Sequence, residues 1–388
     1  MATSEGENNK GTVGPDEIIK PSLTSDGAKE MIQRLYGFQV VNVKQLDSYD
    51  DQNFYIAAKS QGSDRLEEYT LKVMNANDSE NVTLLEAQTS IMLFLNERKF
   101  SAPKPVKLPN GKYMTLEKIS SNKGTFEHMV RLLTYIPGQL YKEVELTPEL
   151  CYRAGKHIGS IDVALKDFYH EGFERPDFLW NLVNVPLLEK YVYVFKEEKK
   201  RDILQAVIKA FKEHVEPNYG KLTKGTIHGD YNESNIIVTP KEINCNFNGQ
   251  GQETAMSNST TYELCGLLDY GDVSHGFAVF DLAIALAYTM MQASEDPIKI
   301  GGHMLAGYLS VFPLSALERA VVYYCITSRI AQSVTLGMYS FTLHPDNKYL
   351  LITQETGWIL LEKLWSTPIE EIEQEWDKII QMYKNSAS

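Results

Sequence analysis

Residues Thr226 to Asn235 read TIHGDYNESN, and the apolar run Ile236 to Val238 follows at once. The order sets Asp230 and Asn235 five positions apart, on a polar loop that leads into a strand. A carboxylate there can accept the proton of an attacking hydroxyl. An amide oxygen such as that of Asn235 is the kind of hard ligand that Mg2+ prefers. The same residue types also build ordinary turns, in which Asp and Asn bond to their own backbone. What separates the two readings is the company the loop keeps. Further on, Leu267 to Gly271 read LLDYG, which ends an apolar strand on Asp269. Asp-aromatic-Gly after such a strand is the pattern of a carboxylate that bridges a metal ion to phosphates. Loop, strand and Asp-aromatic-Gly in that order make a coincidence of turns a poor explanation.

Phosphoryl transfer asks for positioned phosphates, metal ions on their oxygens and a carboxylate that orients the attacking hydroxyl. Upstream, Tyr69 to Val73 read YTLKV and set Lys72 on one face of an alternating strand with Thr70 and Met74. A lysine there can reach nucleotide phosphates, and a Glu on the following helix can hold it. Glu86, in VTLLEAQ, is the candidate; Glu80 and Glu97 lie nearer the helix ends. The turn between the first two strands, Asp47 to Asn53, reads DSYDDQN. Ser48 and Asn53 can offer donors to phosphate, whereas Asp50 and Asp51 are unexpected beside a polyanion, so backbone amides should do most of that work. No G-x-x-x-x-G-K-[ST] loop and no G-x-G-x-x-G loop occurs.

The rest of the chain arranges itself around these motifs. Residues 1–24 are polar and read as a flexible tail. Strand character follows at Phe38 to Leu46, Asn53 to Ala58 and Glu68 to Met74, then a helix from Ser79 to Glu97. Pro109-Asn110-Gly111 marks a tight turn, and a strand from about Met129 to Ile136 ends at Pro137-Gly138. After this breaker, Thr147-Pro148-Glu149 caps a helix. Further helices are expected over Pro186 to His214, Phe280 to Gln292, Ile300 to Phe312, Leu314 to Leu336, Asn347 to Trp365 and Glu370 to Tyr383. Two short strands, Ile236 to Val238 and Leu264 to Leu268, flank an exposed polar insertion at 241–262. The expectation is an α+β, bilobal kinase fold. A small β-rich lobe with one helix, 25–138, would bind nucleotide, and a larger, mainly helical lobe, 139–388, would hold catalysis and substrate. The hinge would run from Thr134 to Gly138.

Composition agrees with an ordinary globular enzyme. The 388 residues carry 38 basic and 51 acidic side chains, a net charge of −13. Such a surface repels nucleic acid and suits a cationic small molecule. No apolar run is long enough for a membrane span, and Met1 to Lys20 lacks the apolar core of a secretory leader. Cys151, Cys245, Cys265 and Cys325 are widely spaced, which reads as free thiols in a reducing compartment. A cytoplasmic enzyme is expected, and nothing indicates a protein partner.

HGDYNESN, LLDYGD and the later Phe280-Asp-Leu-Ala283 together resemble the aminoglycoside phosphotransferase and choline kinase group, over roughly Lys29 to the C-terminus. That resemblance implies a protein-kinase-like fold and phosphorylation of small-molecule hydroxyls. It makes Asp230 the base, Asn235 and Asp269 the Mg2+ ligands and Lys72 the phosphate lysine; His228 would brace the loop and Asp281 would anchor it. Within the group, SYDDQNFYI, LLTYIPG and LLDYGDVSHGFAVFDLAIALAYTM are most similar to the branch that acts on hydroxylysine. This implies 5-hydroxy-L-lysine as acceptor and GTP as donor, although the residues themselves do not separate GTP from ATP.

An amino-acid substrate with two amines needs carboxylates and an aromatic wall. Asp272, Glu174, Asp177 and Trp180 are the candidates, with Arg329 or Arg175 for the substrate carboxylate. Rival readings are a choline, ethanolamine or aminoglycoside kinase, and a pseudokinase that binds nucleotide without turnover. Against the last stand four chemically competent residues, Lys72, Asp230, Asn235 and Asp269. A protein kinase is disfavoured because no A-P-E segment follows Asp269.

Overall fold

The computed structural model describes residues 18–48, 50–60, 62–121, 124–241 and 261–387. Most of the expected insertion, 242–260, and residues 1–17 of the expected tail lie outside the described residues. The chain forms two compact units. Among the described residues the first holds 18–97 and Ala102–Ile136, the second Arg98–Ser101 and 137–387.

The first unit is built on a five-stranded antiparallel sheet: β1 (Gln39–Leu46), β2 (Gln52–Lys59), β3 (Leu66–Val73), β4 (Thr115–Ser121) and β5 (Gly124–Thr134), in the order β1-β2-β3-β5-β4. In β3 the period of two is plain: Tyr69, Leu71 and Val73 are buried, while Thr70 and Lys72 take the other face. Helix α1 (Ser25–Tyr36) buries Ala28, Met31, Ile32 and Tyr36 in one core with Phe54, Ile56, Leu71 and Val130. This helix was not anticipated. Its signals are a Thr24 N-cap that accepts from Gly27 N–H and a Gly37 C-cap at φ 70°. Residues 18–24 are also not a free tail: Leu23 exchanges two bonds with the Gln52 amide, at 2.7 and 2.8 Å, and Ile19 N–H donates to Asn77 Oδ1. The short α2 (Ala76–Ser79) precedes α3 (Val82–Glu97), whose Leu85 packs on Met74 and Met129.

In the second unit two small sheets carry the motifs. One comprises β6 (Gln139–Leu140), β8 (Ile236–Pro240) and β9 (Tyr262–Leu267); the other pairs β7 (Lys224–Ile227) with β10 (Ser274–Phe277). Around them pack α4 (Pro148–Leu165), α5 (Glu198–His214), α6 (Ala278–Met291), α7 (Pro297–Leu309), α8 (Ala316–Leu343), α9 (Gln354–Ser366) and α10 (Ile369–Ala387). All fourteen residues of α6 are buried, as its mostly apolar sequence favours, and Asp281 is buried with them. Helices α4 and α7 cross at glycines: a Cβ at Gly155 would lie 1.8 Å from Met304 O, and one at Gly307 1.8 Å from Tyr152 O. The helix expected over Pro186 to His214 is divided. Leu182–Lys190 winds as 3-10 with Pro186 inside it, and the α-helix begins only at Glu198. Strands β4, β7 and β10 were missed because each is short or reads as polar.

Candidate active site

Topology gathers the carboxylates of the second unit. Loop 228–235 runs from β7 to β8, and turn 268–273 runs from β9 to β10. Ile227 pairs with Ser274 and Ile236 with Leu267, so the two connections start and finish at paired strand ends. Two bonds to Leu268 then tie one to the other. Leu268 N–H donates to Asn235 O at 2.7 Å. His228 Nε2 lies 3.1 Å from Leu268 O. The Asp230 N–H donates to His228 Nδ1 at 3.3 Å, so the ring proton sits on Nε2 and faces Leu268 O.

Asp230 is the hub of this arrangement. Its Oδ2 accepts from Asn235 Nδ2 at 2.8 Å and from Asn232 Nδ2 at 2.9 Å. Its Oδ1 lies 3.4 Å from Arg329 Nη2. A carboxylate has about four acceptor sites, so one remains for a hydroxyl, and the side chain is still 23% exposed. Burial raises the Asp230 pKa, opposed chiefly by the charge of Arg329 and also by the neighbouring His228 and the Asn232 amide, and reinforced by Asp269. Asn235 spends its NH2 on Asp230 Oδ2 and Asp230 O, and among the described residues its Oδ1 accepts no hydrogen bond. Asp269 is exposed and sits at φ 54°, a left-handed conformation uncommon outside glycine, with Oδ1 accepting from Gly271 N–H. Backbone strain of this kind costs on the order of 1–3 kcal/mol and collects at functional sites.

Beneath the loop lies a second carboxylate pair. Asp281, on α6 and fully buried, accepts from His228 N–H at 2.7 Å and Gly229 N–H at 2.8 Å. It is the anchor that the family likeness implied. Asp162 on α4 accepts the Tyr308 hydroxyl at 2.6 Å, and burial, with Asp281 beside it, holds its pKa well above the usual carboxylate range. Gly229 has φ +78°, and a Cβ there would meet Asp272 O at 2.7 Å, so only glycine lets loop and turn approach this closely.

Arg329 requires a correction. It is 1% exposed and does not offer itself to a substrate carboxylate. Its Nη1 donates to Trp180 O and Gln332 Oε1, both at 3.0 Å, and its Nη2 to Gly229 O and Asp230 Oδ1, both at 3.4 Å. The guanidinium lies 5.1 Å from the Trp180 ring centroid and 5.3 Å from that of Tyr288. All four Nη protons are thus engaged, and the residue holds Asp230. Trp180 is likewise drawn into this support. Arg175 braces the turn, donating to Gly271 O at 2.7 Å and stacking on Phe178. Asp272 lies near Asp230 and Asp269, and burial together with those charges lifts its pKa to about 7, against Arg329 and Arg175. Glu174 is exposed and accepts the Tyr169 hydroxyl, and Asp177 is exposed; neither has a recorded contact with Asp230.

In the first unit Lys72 lies where the alternation predicts, but its partner differs. Lys72 Nζ is 3.2 Å from Asp51 Oδ2. Glu86 stands exposed on α3, and its recorded bond is a backbone carbonyl accepting from Ser90. The helix turns Leu85, Ala87, Gln88 and Thr89 inward, which leaves position 86 outward. Ser48 Oγ donates to Asp51 O at 2.6 Å, and Asn53 has a buried Oδ1 without a partner. Sequence reasoning thus missed Asp51, Asn232 and the true role of Arg329. Only Asn232 carried a local signal, through its position in HGDYNESN.

A model of the phosphotransferase enzyme family matches residues 42–245, more than half of the chain. The chain belongs to that family. Hydroxylysine kinase of Xenopus laevis is 39% identical over 369 residues, covering 94% of this chain and 96% of that one. Hydroxylysine kinase of Mus musculus is 35% identical over 375 residues, covering 95% and 96%. Among solved structures, a microcompartment-associated aminopropanol kinase matches with TM-score 0.63 at 14% identity, covering 87% of this chain and 97% of that one. An amicoumacin kinase matches with TM-score 0.60 at 17% identity, covering 91% and 93%. The phosphotransferase accordingly has the α+β, protein-kinase-like fold. It is a small-molecule kinase acting on a hydroxyl group, with a nucleoside triphosphate as co-substrate. Among the described residues no helix is long and apolar enough to cross a membrane.

Proposed function

We propose that this phosphotransferase moves the γ-phosphate of GTP to the hydroxyl of 5-hydroxy-L-lysine, with Asp230 as base and Lys72 on the nucleotide phosphates. The observation that carries the reading is the tie between the Asp230–Asn235 loop and the Asp269 turn through Leu268. The activity named for the frog and mouse relatives supports the acceptor; GTP as donor is what the resemblance of SYDDQNFYI and LLTYIPG implies. On this reading the first unit binds nucleotide and the second carries catalysis and acceptor, in the cytoplasm.

Mg2+ fits the donor set as an ion that arrives with phosphate. Among the described residues no group of three or more His, Cys, Asp or Glu could hold a metal alone. Asn235 Oδ1 and the exposed Asp269 carboxylate are the two hard oxygen ligands that would hold it together with phosphate. Bound there, the ion neutralises charge that develops on the transferred group. The protein's own part is orientation. Asn232 and Asn235 fix one oxygen of Asp230, Arg329 fixes the other, and the remaining acceptor site takes the hydrogen bond of the attacking hydroxyl. Asp272, Asp269 and Asp230 give the surroundings the negative charge that an ammonium-bearing acceptor needs.

The test is a panel of 5-hydroxy-L-lysine, choline, ethanolamine and an aminoglycoside, each with GTP and ATP. Turnover of 5-hydroxy-L-lysine with GTP is expected to dominate. Turnover of choline alone would overturn the acceptor, and a preference for ATP the donor. Asp230→Asn is expected to lower kcat by roughly 10²–10⁴-fold with nucleotide affinity little changed. Loss of nucleotide binding instead would remove Asp230 from the role of base.

A further inference from the structure

We propose that Asp51, in the loop between β1 and β2, is the carboxylate that positions Lys72, in place of a glutamate on α3. The inference rests on the reading of Lys72 as the phosphate lysine. It starts from the two acidic residues that looked out of place beside a polyanion. They do separate work. Asp50 faces Lys20 at 3.3 Å, and Asp51 faces Lys72 at 3.2 Å.

The Lys72–Asp51 pair is shielded, with side chains 11% and 13% exposed, so it is screened far less than a surface ion pair. Asp51 is itself held still. Its Oδ1 accepts from Asn75 N–H at 2.9 Å and from Asn75 Nδ2 at 3.1 Å. Asn75 is 3% exposed and caps α2, with Oδ1 accepting from Asp78 N–H at 2.9 Å and its carbonyl accepting from Ser79 Oγ at 2.6 Å. One oxygen of Asp51 is thus fixed to a rigid cap and the other is presented to the lysine. Sheet register supplies the reach. Asn53 pairs with Lys72 across β2 and β3, two residues from Asp51, and Ser48 ties the loop back to Asp51 O at 2.6 Å.

The polar side chains of α3 point elsewhere. Glu86 is exposed, and Gln88, on the buried face, accepts from Arg131 Nη2 at 2.9 Å. A lysine ammonium has three donors. The contact with Asp51 directs the ammonium and offsets the local negative charge before a polyanion arrives.

The experiment uses the full chain and measures kcat, KM for nucleotide, nucleotide Kd by calorimetry and Tm. Asp51→Asn keeps an oxygen for both Asn75 donors and removes the charge facing Lys72. It is expected to lower kcat/KM for nucleotide about 10–100-fold, a change of about 1.4–2.7 kcal/mol, with Tm nearly unchanged. Glu86→Gln is expected to stay within about 2-fold, as surface changes usually do. In a Lys72→Met background Asp51→Asn should add almost nothing, because both act through one group; a capping role alone would give additive losses. Should Asp51→Asn unfold, Asp51→Glu restores the charge on a longer arm and must give the same non-additivity with Lys72→Met. If Lys72→Met leaves nucleotide handling intact, the phosphate role of Lys72 fails. If Lys72→Met is damaging but Asp51→Asn is harmless, additive, or tightens nucleotide binding, Asp51 is not the positioning residue.

Discussion

The surroundings of Asp230 and of Lys72 solve the same problem in opposite ways. Asp230 is fixed by three side chains, one of them a fully buried guanidinium packed between two aromatic rings. Lys72 faces a carboxylate that is itself tied to a helix cap, in a loop near the edge of a sheet. The first arrangement is welded into the core of its unit, whereas the second is a local contact that a change at one loop residue can undo. Groups in the first region should therefore report on folding and chemistry together, and groups in the second on chemistry with little effect on folding.

The largest effect expected from this contrast belongs to Arg329→Met. It strips Asp230 of its counter-charge and leaves the Trp180 and Gly229 carbonyls without their donor. Breaking a buried ion pair from one side costs about 3–5 kcal/mol, so the melting temperature should fall by several degrees or more. Lys72→Met should cost less than that, because Asp51 keeps both of its bonds from Asn75. If the two substitutions destabilise equally in denaturant titrations, the contrast is broken.

Asp281→Asn comes next. The buried carboxylate accepts both His228 N–H and Gly229 N–H, and an amide turns a donor toward one of them. Bonds to a charged acceptor contribute about 1.5–3 kcal/mol each. Stability should drop by about that much, and kcat should fall with KM for nucleotide nearly constant. A loss of KM alone would mean that the anchor does not serve the base.

Gly229→Ala tests the close approach. The new methyl would lie 2.7 Å from Asp272 O at a backbone φ of +78°, at a cost of about 1–3 kcal/mol in strain. A variant that melts and turns over like the parent would show that loop and turn are free to separate.

The smallest effect is a slope with pH. Burial, with His228 nearby, lowers the His157 pKa from 6.5 to about 4. The unfolded chain then binds a proton that the folded chain refuses between those values, so stability is complete above about 6.5 and declines as pH falls toward about 4. Melting curves from pH 7.5 to 4.5 should show this slope, shallower in His157→Gln. An equal slope in both would assign it to other groups.

The contrast also divides what could be read from the chain. HGDYNESN and LLDYG are contiguous, so Asp230, Asn235 and Asp269 are legible as candidates from their neighbours in sequence. The alternation in YTLKV likewise put Lys72 on the correct face. The partner of Lys72 was misassigned because Asp51 reaches it across a sheet, and an acidic turn gives no sign of which way its side chains face. Arg329 was read as a substrate ligand for a related reason: an Arg in an apolar helix looks alike whether its charge meets a ligand or a buried Asp ninety-nine positions away.

By itself, then, the sequence determined the chemical inventory, the α+β class and the order of the motifs, because periodicity and local turn chemistry are short-range properties. Tertiary structure alone decided which charges meet. The pairing of Ile227 with Ser274 and of Ile236 with Leu267 brings two loops to one place, and burial then fixes each ion pair, since a desolvated charge must take whichever partner the packing brings within reach.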